Sequence, residues 1–413
     1  MRAAIITIGT ELTDGRVIDT NTGFMARGLE RRGLRVGLAL TVPDDDAAIG
    51  MGLTYALGSD IALIAVAGGL GPTPDDVSAT AIAKALELGI EFNPGAASMV
   101  AQAVGVDVTA LEPHQAKQAM LPAGAQPIAP AGAAPGFALT HHGVPIICLP
   151  GVPWELEAMW EEALTTPGIA AVLDAGRAPG RRVLCFYESG EPQVAEAVEA
   201  FLGKDKAGIE VGICARHREV LLEVAFPPEA QDRVEDLMTA MKECFTDFCY
   251  SEGEEIKEII AAELNRRGKT LAVGESCTGG MLGETITGVG GASQFFRGGV
   301  IAYDNEVKKA LLKVRQGTLD TVGAVSEAVA QQLALGVRDA CGADYGIGIT
   351  GIAGPTGGTP DKPVGLVYIC VSSREGDLVR GFNFPGGRED VRRAAVTAAL
   401  HMLYTKLIKE ERP

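Results

Sequence analysis

The stretch TLAVGESCTGG, residues 270–280, decides how the last part of the chain folds. Its first four residues form a short, β-prone apolar run that predicts a buried strand, and MLGETI (281–286) can begin a helix. Two adjacent glycines in the intervening turn let a ligand approach the backbone, and amides at a helix start can stabilise a phosphate or an oxyanion. Ser276, Cys277 and Thr278 therefore lie where a nucleophile is useful. Alternatively, Ser276 or Thr278 merely caps the helix.

Two further predicted strands end in polar residues. The segment GVIAY (299–303) ends at Tyr303, and YGIGIT (345–350) ends at Thr350. In an open α/β sheet, ligands bind in the crevice outside the carboxyl ends of the strands. We therefore expect both side chains to meet Ser276, although the three residues lie far apart in the sequence.

Lys308 is a candidate general base. It lies in the first turn of the helix predicted after Tyr303, near the positive end of the helix dipole, where an ammonium group is unfavourable. A lysine that is neutral for this reason can accept a proton from Ser276. The alternatives are that Lys308 is an exposed surface residue and that Tyr303 is a core tyrosine.

A second glycine-rich turn follows IALIAVA (61–67), a continuous apolar run typical of a parallel strand covered on both faces. This turn, GGLGPTPDD (68–76), can present backbone N–H groups to a phosphate. Two carboxylates repel a phosphate unless a divalent cation lies between them, so Asp75 and Asp76 indicate a metal if the ligand is a diphosphate. Alternatively, Asp76 caps the next helix and Asp75 is solvated.

The composition is that of a globular α/β protein. Of the 413 residues, 47% are hydrophobic and 53 are glycines scattered among apolar runs, as many tight βα turns require. A formal net charge of -17 argues against nucleic-acid and membrane-surface partners, because either would favour a basic face. No apolar run approaches the roughly 18 residues of a membrane span. The eight scattered cysteines indicate reduced thiols, and we expect a cytoplasmic protein.

The chain is predicted to have three parts. Residues 1–172 and 253–413 are expected to be two doubly wound α/β domains, and residues 173–252 a small α+β module that joins them as a spacer or an oligomerisation element. Within the module, residues 175–180 are predicted to be a linker because they are Gly, Pro and Ala with one Arg. We expect a homodimer.

Four motifs of the first domain resemble, in this order, the CinA (competence/damage-inducible) family: GTEL (9–12), GGLGPTPDD (68–76), APGF (134–137) and PGVP (150–153). The corresponding family domain is similar in fold to molybdopterin-binding domains. The resemblance implies a pyrophosphatase that cleaves ADP-ribose with a divalent metal ion. The residues it implies are Glu11, Asp75 and Asp76 for the metal, and Asn21, Gly68, Gly69, Gly71 and Thr73 for the substrate. Gln115 and Ala129 depart from the family pattern, in which asparagine is usual.

The last domain resembles the C-terminal domain of the same family over almost its whole length. The motifs are ESCTGG (275–280), GVIAYDN (299–305) with Lys308, GAVSE (323–327), and TGIAGP (350–355) with KPVG (362–365). The resemblance implies a nicotinamide mononucleotide deamidase that needs no metal or other cofactor. It implies Ser276 as the nucleophile with Lys308 and Tyr303 as proton-transfer partners, Arg388 at the substrate phosphate, and Thr278, Gly279, Gly280, Thr350 and Gly351 as further substrate contacts.

Two questions stay open from the sequence. Cys277 is a rival nucleophile, because a thiol is intrinsically more nucleophilic than a hydroxyl and the two residues are adjacent. The chain could also be a binding protein, with a pterin or nucleotide in the first domain and a scaffold in the last. The ligands expected in the enzyme are the small nucleotides nicotinamide mononucleotide and ADP-ribose.

Overall fold

The computed structural model describes residues 1–175, 179–204 and 206–411, which divide into two units, Met1–Pro179 and Gly180–Pro413. Residues 176–178 of the predicted linker lie outside the described residues. The strands of the first unit are β1 (Arg2–Ile8), β2 (Arg35–Val42), β3 (Leu63–Ala67), β4 (Ile90–Phe92), β5 (Met120–Pro122), β6 (Gln126–Ile128), β7 (Gly136–His141) and β8 (Val144–Leu149). Its helices are α1 (Thr10–Thr13), α2 (Asn21–Glu30), α3 (Asp46–Leu57), α4 (Ser78–Ala85), α5 (Pro94–Val104), α6 (Pro113–Ala116), α7 (Pro153–Leu164) and α8 (Pro167–Ala175).

The main sheet of the first unit is covered on both faces. Its order is β2-β1-β3-β8-β7-β6, with the first four strands parallel and the last two antiparallel. Successive side chains of a strand point to opposite faces. Ile6 of β1 accordingly packs with Leu53 of α3, whereas Ile5 packs with Met25 of α2 and Trp160 of α7. The predicted doubly wound fold is confirmed.

The second unit begins with a small antiparallel module. Its elements are β9 (Gly180–Tyr187), α9 (Glu191–Leu202), β10 (Glu210–Arg216), β11 (Glu219–Phe226), α10 (Gln231–Cys244) and β12 (Cys249–Ser251), with strand order β10-β11-β9-β12. Residues alternate along β11, so that Val220, Leu222 and Val224 are buried beneath the two helices. The three-residue strand β12 is too short to show a period of its own and was not predicted.

The rest of this unit is a five-stranded sheet between helices. Its strands are β13 (Leu271–Glu275), β14 (Phe296–Ile301), β15 (Tyr345–Gly351), β16 (Leu366–Ser373) and β17 (Gly376–Asn383). Its helices are α11 (Ile256–Arg267), α12 (Met281–Thr287), α13 (Asn305–Leu312), α14 (Gln316–Val322), α15 (Glu327–Cys341) and α16 (Arg388–Glu411). The order is β14-β13-β15-β16-β17, and β14, β13 and β15 are parallel. Their carboxyl ends therefore share one edge of the sheet.

None of the helices in the described part of the chain is both long enough and apolar enough to span a bilayer.

Candidate active sites

Ser276 follows β13 directly and lies between the ends of two neighbouring parallel strands. Its N–H donates to the Ile349 carbonyl at 3.0 Å, and the Ala302 N–H donates to the carbonyl of the preceding Glu275 at 2.7 Å. Tyr303 and Thr350 are the next residues of those two neighbouring chain segments. The structure thus brings the three predicted strand ends together at one edge of the sheet.

Glu275, the last residue of β13, caps the helix that follows. Its carboxylate is buried and accepts hydrogen bonds from the N–H groups of Gly280, Leu282 and Gly283 at 3.0, 3.1 and 2.9 Å. No hydroxyl of the turn caps α12, so the capping alternative for Ser276 and Thr278 is wrong. The expectation that these helix amides bind a ligand anion is wrong as well, because the protein's own carboxylate already occupies them.

The two glycines of the turn are needed for its backbone conformation. Gly279 and Gly280 have φ values of 60° and 100°, in the left-handed region that disfavours side chains. The Gly279 N–H donates to the Ser276 carbonyl at 3.1 Å, so both glycine amides are engaged within the protein. Among the residues that the structure describes, the turn amides without a backbone or carboxylate acceptor are those of Cys277 and Thr278, and both point toward the Cys277 sulfur, where they oppose the effect of burial on its pKa. They are the donors of the turn that an oxyanion could engage.

The thiol of Cys277 is directed into the protein. Cys277 is 5% exposed and belongs to the apolar cluster that contains Leu282 and Ile286. This burial raises the pKa of Cys277 to about 12. Because the thiolate is the nucleophilic form, a thiol that stays protonated at neutral pH is a poor nucleophile. The geometry therefore favours Ser276 in this role.

Lys308 is buried, with only 2% of its surface exposed, so the surface-lysine alternative is wrong. Its ammonium group donates to the Tyr303 carbonyl at 2.8 Å. Burial lowers the pKa of Lys308 because the charged form loses hydration, while Asp304 and Cys277 act in the opposite direction. Desolvation therefore acts in the same direction as the helix dipole from which a lowered pKa was predicted.

Tyr303 and Arg388 form the open rim of the site. Tyr303 is 60% exposed, which excludes the core-tyrosine alternative. Its hydroxyl accepts a hydrogen bond from Arg388 Nη2 at 3.0 Å, and Arg388 Nη1 donates to the Gly354 carbonyl at 2.8 Å. Arg388 is the exposed first residue of α16. Its charge is accessible to an anionic group of a ligand.

Thr350 is held by a neighbouring segment. It is 1% exposed, and its hydroxyl donates to the Ala324 carbonyl at 2.8 Å. The ammonium group of Lys362 donates to two carbonyls of the 322–325 segment, at 2.6 and 2.7 Å. Lys362 therefore fixes the segment that orients Thr350.

Two other predicted substrate contacts are engaged within the protein. Thr278 is fully buried, its hydroxyl has no partner among the described residues, and its carbonyl accepts from Arg392 Nη2 at 2.8 Å. A Cβ on Gly351 would lie 2.7 Å from Val367 Cγ2, so glycine is required there by packing against β16. The Thr278 side chain is therefore closed to a ligand in this conformation, and Gly351 could contact one only through its backbone.

The first unit contains a cavity of about 500 Å³ at the carboxyl ends of β1 and β3. The predicted residues Asn21, Gly68, Gly69 and Gly71 line it, whereas Thr73 does not. None of its described lining residues is Lys, Arg or His. The carboxylates that line the cavity are Glu11, Asp19, Asp44, Asp75, Asp76 and Glu155. An anionic ligand would meet only like charge from these side chains.

The glycine-rich turn after β3 differs in detail from the prediction. The Gly68 N–H donates to the Leu149 carbonyl at 3.0 Å and is not free. In the described chain, the amides of residues 69–71 have no acceptor, so they can face a phosphate. A Cβ on Gly71 would lie 2.5 Å from Asp76 Oδ2, so glycine makes room for this carboxylate. Asp76 accepts from the Thr73 N–H at 2.8 Å and does not cap α4.

The described residues contain no group of three or more His, Cys, Asp or Glu side chains that could hold a metal ion. Glu11, Asp75 and Asp76 therefore line one cavity without forming a ready three-ligand site. Mg²⁺ commonly keeps several waters and binds one or two carboxylates together with substrate phosphates. The residues present fit a cation shared with a diphosphate, and they do not fit a closed protein cage.

Several residues of these sites were not predicted. Asp44 begins an acidic run, residues 44–46, that follows β2 after a single proline, and because β2 is parallel to β1 this position indicates the same edge of the sheet. Glu155 lies in the first turn of α7, where burial raises the pKa of its carboxyl. Arg392 has no local signal, because it contacts Thr278 across 114 residues of sequence.

Both domains match known families. Residues 253–407 match the model described as the CinA C-terminal domain, and residues 4–169 match that of a probable molybdopterin binding domain. A CinA-like protein of Citrifermentans bemidjiense is 36% identical over 410 residues, covering 99% of this chain and 98% of that protein. One of Anaeromyxobacter sp. is 37% identical over 408 residues, covering 98% of each. One of Thermotoga maritima is 36% identical over 417 residues, covering 100% of this chain and 99% of that protein.

These relatives span nearly the whole chain, and the two domain matches occur in the predicted order. The chain belongs to the CinA family.

Proposed function

We propose that the last domain hydrolyses nicotinamide mononucleotide to nicotinic acid mononucleotide and ammonia, as part of pyridine-nucleotide recycling. The observation that carries this proposal is a buried lysine whose ammonium group contacts the carbonyl of Tyr303, at the sheet edge where Ser276 follows its own strand. Cys277, the neighbour of Ser276, raises the pKa of Lys308, and Arg388 lowers the pKa of Cys277, so both cationic groups interact with the turn.

The proposed reaction starts with neutral Lys308. It takes the proton from the Ser276 hydroxyl as Oγ bonds to the carboxamide carbon, and the carbonyl π electrons move to oxygen. The tetrahedral intermediate returns these electrons, the C–N bond breaks, and the proton goes to the leaving nitrogen through Lys308 or Tyr303. Water then hydrolyses the acyl-serine ester and restores the Ser276 hydroxyl. The sum is carboxamide plus water giving carboxylic acid plus ammonia.

Charge stabilisation in this scheme falls to the open amides of Cys277 and Thr278. Preorganised donors aimed at a developing oxyanion contribute about 3–4 kcal/mol each in well-studied hydrolases. Arg388, exposed at the rim and tied to Tyr303, can pair with the substrate's phosphate. As a neutral amine, Lys308 can keep one N–H on the Tyr303 carbonyl while its lone pair accepts the Ser276 proton, and catalytic contacts of this kind commonly tighten when a substrate binds.

For the first domain we propose a divalent-metal-dependent cleavage of ADP-ribose to AMP and ribose 5-phosphate. The support is a cavity that joins open amides at residues 69–71 to an all-acidic set of charged side chains. Asp75, Asp76 and Glu11 would hold the cation, which when bound neutralises the diphosphate and activates it for attack. Asn21 is positioned by its amide, which donates to the Gly151 carbonyl at 2.8 Å.

A second candidate for the first domain is binding without catalysis of a pterin or a nucleotide. The observation that favours it is that the described residues contain no preformed group of three metal ligands. A cavity lined by glycine turns and carboxylates can hold a ligand whether or not it cleaves it.

One experiment tests both domains. The purified chain is incubated separately with nicotinamide mononucleotide and with ADP-ribose plus Mg²⁺, Mn²⁺ or Co²⁺, and products are separated by chromatography. Ammonia with nicotinic acid mononucleotide supports the deamidase, and AMP supports the pyrophosphatase. Binding of ADP-ribose without turnover under any metal would favour the binding alternative, and absence of deamidation would refute the first proposal.

A further inference from the structure

The helix α16 reaches the deamidase site at its start. Arg388 in its first turn contacts Tyr303, and Arg392 in its second turn donates to the Thr278 carbonyl at 2.8 Å. This carbonyl belongs to the turn that carries Ser276. Any shift of the first two turns of α16 therefore moves groups that border the nucleophile and the open amides.

The same helix contacts the middle module, residues 180–251, through His401. The His401 ring stacks on Tyr187 of β9, with 3.7 Å between centroids and 8° between planes. His401 Nε2 lies 3.0 Å from Glu219 Oε1 of β11, and the same oxygen accepts from the Tyr250 hydroxyl at 2.8 Å. His401 is 3% exposed, so this contact is fully inside the protein.

The two contacts lie on opposite sides of the helix. Arg392 and His401 are nine positions apart, and at 3.6 residues per turn this is about two and a half turns, or some 13 Å along the axis. The module thus contacts one side of α16, and the turn that carries Ser276 contacts the other side. Interior packing transmits strain because close-packed side chains leave few voids to absorb it.

The contact between His401 and Glu219 is polar, and its hydrogen bonds fix which atoms must meet. Glu219 keeps a lowered pKa despite its burial, because His401 and Tyr250 donate to it, and a carboxylate can only accept. Burial lowers the pKa of His401, so the neutral ring donates through Nε2. Loss of either donor would leave the largely buried Glu219 carboxylate with one hydrogen bond fewer, which is costly. The position of α16 at His401 and the position of the module at Glu219 therefore depend on each other.

We propose that the middle module positions the deamidase site: Glu219, acting through His401 and α16, sets where Arg392 holds the Ser276 turn. The module is then part of the catalytic unit, beyond its expected role as a spacer or an oligomerisation element. This inference rests on the proposed deamidase function of the last domain. Glu219, His401 and Arg392 are positioning residues in it, since none touches the reacting atoms.

A second contact between the module and the last domain supplies a control. Arg380 of β17 pairs with Glu188 at 3.7 Å, and Arg380 is not on α16. If the module acted only as general support, losing either contact would have similar effects. If it acts through α16, loss of the His401 contact lowers catalysis and loss of the Arg380 contact does not.

The test measures kcat and KM for nicotinamide mononucleotide in the full chain. His401→Phe keeps a ring to stack on Tyr187 and loses the hydrogen bond to Glu219. We expect kcat to fall about 3- to 30-fold with KM changed less than about twofold, as for other residues that modulate a site from a distance. His401→Gln, which keeps a donor, should recover part of kcat. Arg380→Gln should match the unmodified chain, and thermal unfolding should show that all variants fold.

A double variant sharpens the test. His401→Phe and Arg392→Gln do not share a direct contact, so independent effects on kcat would multiply. If both act by letting the same turn move, the double variant should be little worse than Arg392→Gln alone. Multiplying effects, or equal losses in His401→Phe and Arg380→Gln, would overturn the proposal.

Hydrogen exchange gives a readout that does not depend on activity. The amides of Gly280, Leu282 and Gly283, bound to Glu275, should exchange at least about threefold faster in His401→Phe and at the unmodified rate in Arg380→Gln. Unchanged exchange in His401→Phe would refute the positioning role even in an active enzyme. Absence of deamidation in the unmodified chain would instead refute the proposed function, and exchange would still decide the inference.

Discussion

The turns after β3 and β13 begin alike and are arranged in opposite ways. Each follows a buried parallel strand, contains glycines at positive φ and leads to a helix. After β3, the carboxylates of Asp75 and Asp76 lie around the cavity and the amides of residues 69–71 stay open. After β13, the carboxylate of Glu275 folds inward and occupies the amides at the helix start.

The chemistry that suits a glycine-rich turn therefore depends on whether its carboxylate faces the ligand or the turn's own amides. Acidic groups facing a ligand demand a cation if the ligand is a diphosphate. An acidic group facing inward leaves the ligand side to Ser276 and Lys308, whose proposed acyl-transfer chemistry uses no metal.

The largest effect is expected at the nucleophile. Ser276→Ala should lower deamidase activity by at least about 10⁴-fold without unfolding the chain, because no other group at that position can form the acyl intermediate. Cys277→Ala is the matched control and should stay within a few-fold of the unmodified rate. Ammonia release and circular dichroism measure the two quantities. An inactive Cys277→Ala beside an active Ser276→Ala would reverse the assignment.

The next effect concerns the base. Lys308→Met keeps the apolar stem and removes the amine, and Lys308→Arg keeps a charge that cannot be lost near neutral pH; both should lower the rate about 10³-fold. In the unmodified chain the rate should rise with pH and level off once Lys308 is neutral. Because burial lowers its pKa, the rate should reach half of its plateau value below pH 10.5. Normal turnover in either variant would remove Lys308 from the mechanism.

Metal removal should separate the two domains. Excess chelator should lower ADP-ribose cleavage by about 100-fold or more and leave deamidation in the same sample unchanged. Asp75→Asn should weaken the metal response, whereas Asp60→Asn, at an exposed carboxylate paired with Arg2, should not. Full ADP-ribose cleavage in chelator would contradict the proposed role of the acidic cavity.

The smallest effect tests the inward carboxylate. Glu275→Gln turns an N–H₂ group toward N–H donors and should lose at least one of three hydrogen bonds. We expect the free energy of unfolding to drop by about 1–3 kcal/mol and deamidase activity to drop about 10-fold. The exposed Glu284 on the same helix provides the matched change, Glu284→Gln, which should alter neither. Denaturant titration and initial rates would decide it.

The sequence was sufficient for the strand ends, because continuous apolar runs at residues 61–67 and 270–273 mark buried parallel strands. It also placed Tyr303 and Thr350 at the same edge of the sheet as Ser276, since the ends of neighbouring parallel strands share one edge. It did not predict the cap by Glu275. That contact needs the chain to double back through the left-handed Gly279 and Gly280, and nothing in residue type says which way a carboxylate at a strand end will point.

Local sequence patterns could not predict contacts between segments that are distant in the chain. Arg392 reaches Thr278 from 114 residues away, and His401 reaches Glu219 from 182 residues away. A histidine among alanines and leucines of a helix has the appearance of an ordinary core position. The positioning roles proposed for Arg392 and His401 follow only from the packing of α16 against the Ser276 turn and against the middle module.

The inward carboxylate of Glu275 also bears on inhibitor design. A compound that mimics a phosphate at the start of α12 would find its donors occupied and a buried negative charge behind them. If Ser276 is the nucleophile as proposed, an electrophilic ketone or boronate that bonds to it would instead place its oxygen at the amides of Cys277 and Thr278, which have no backbone acceptor. Selectivity for the proposed deamidase over proteins that bind phosphates at helix starts would then come from the different set of backbone donors.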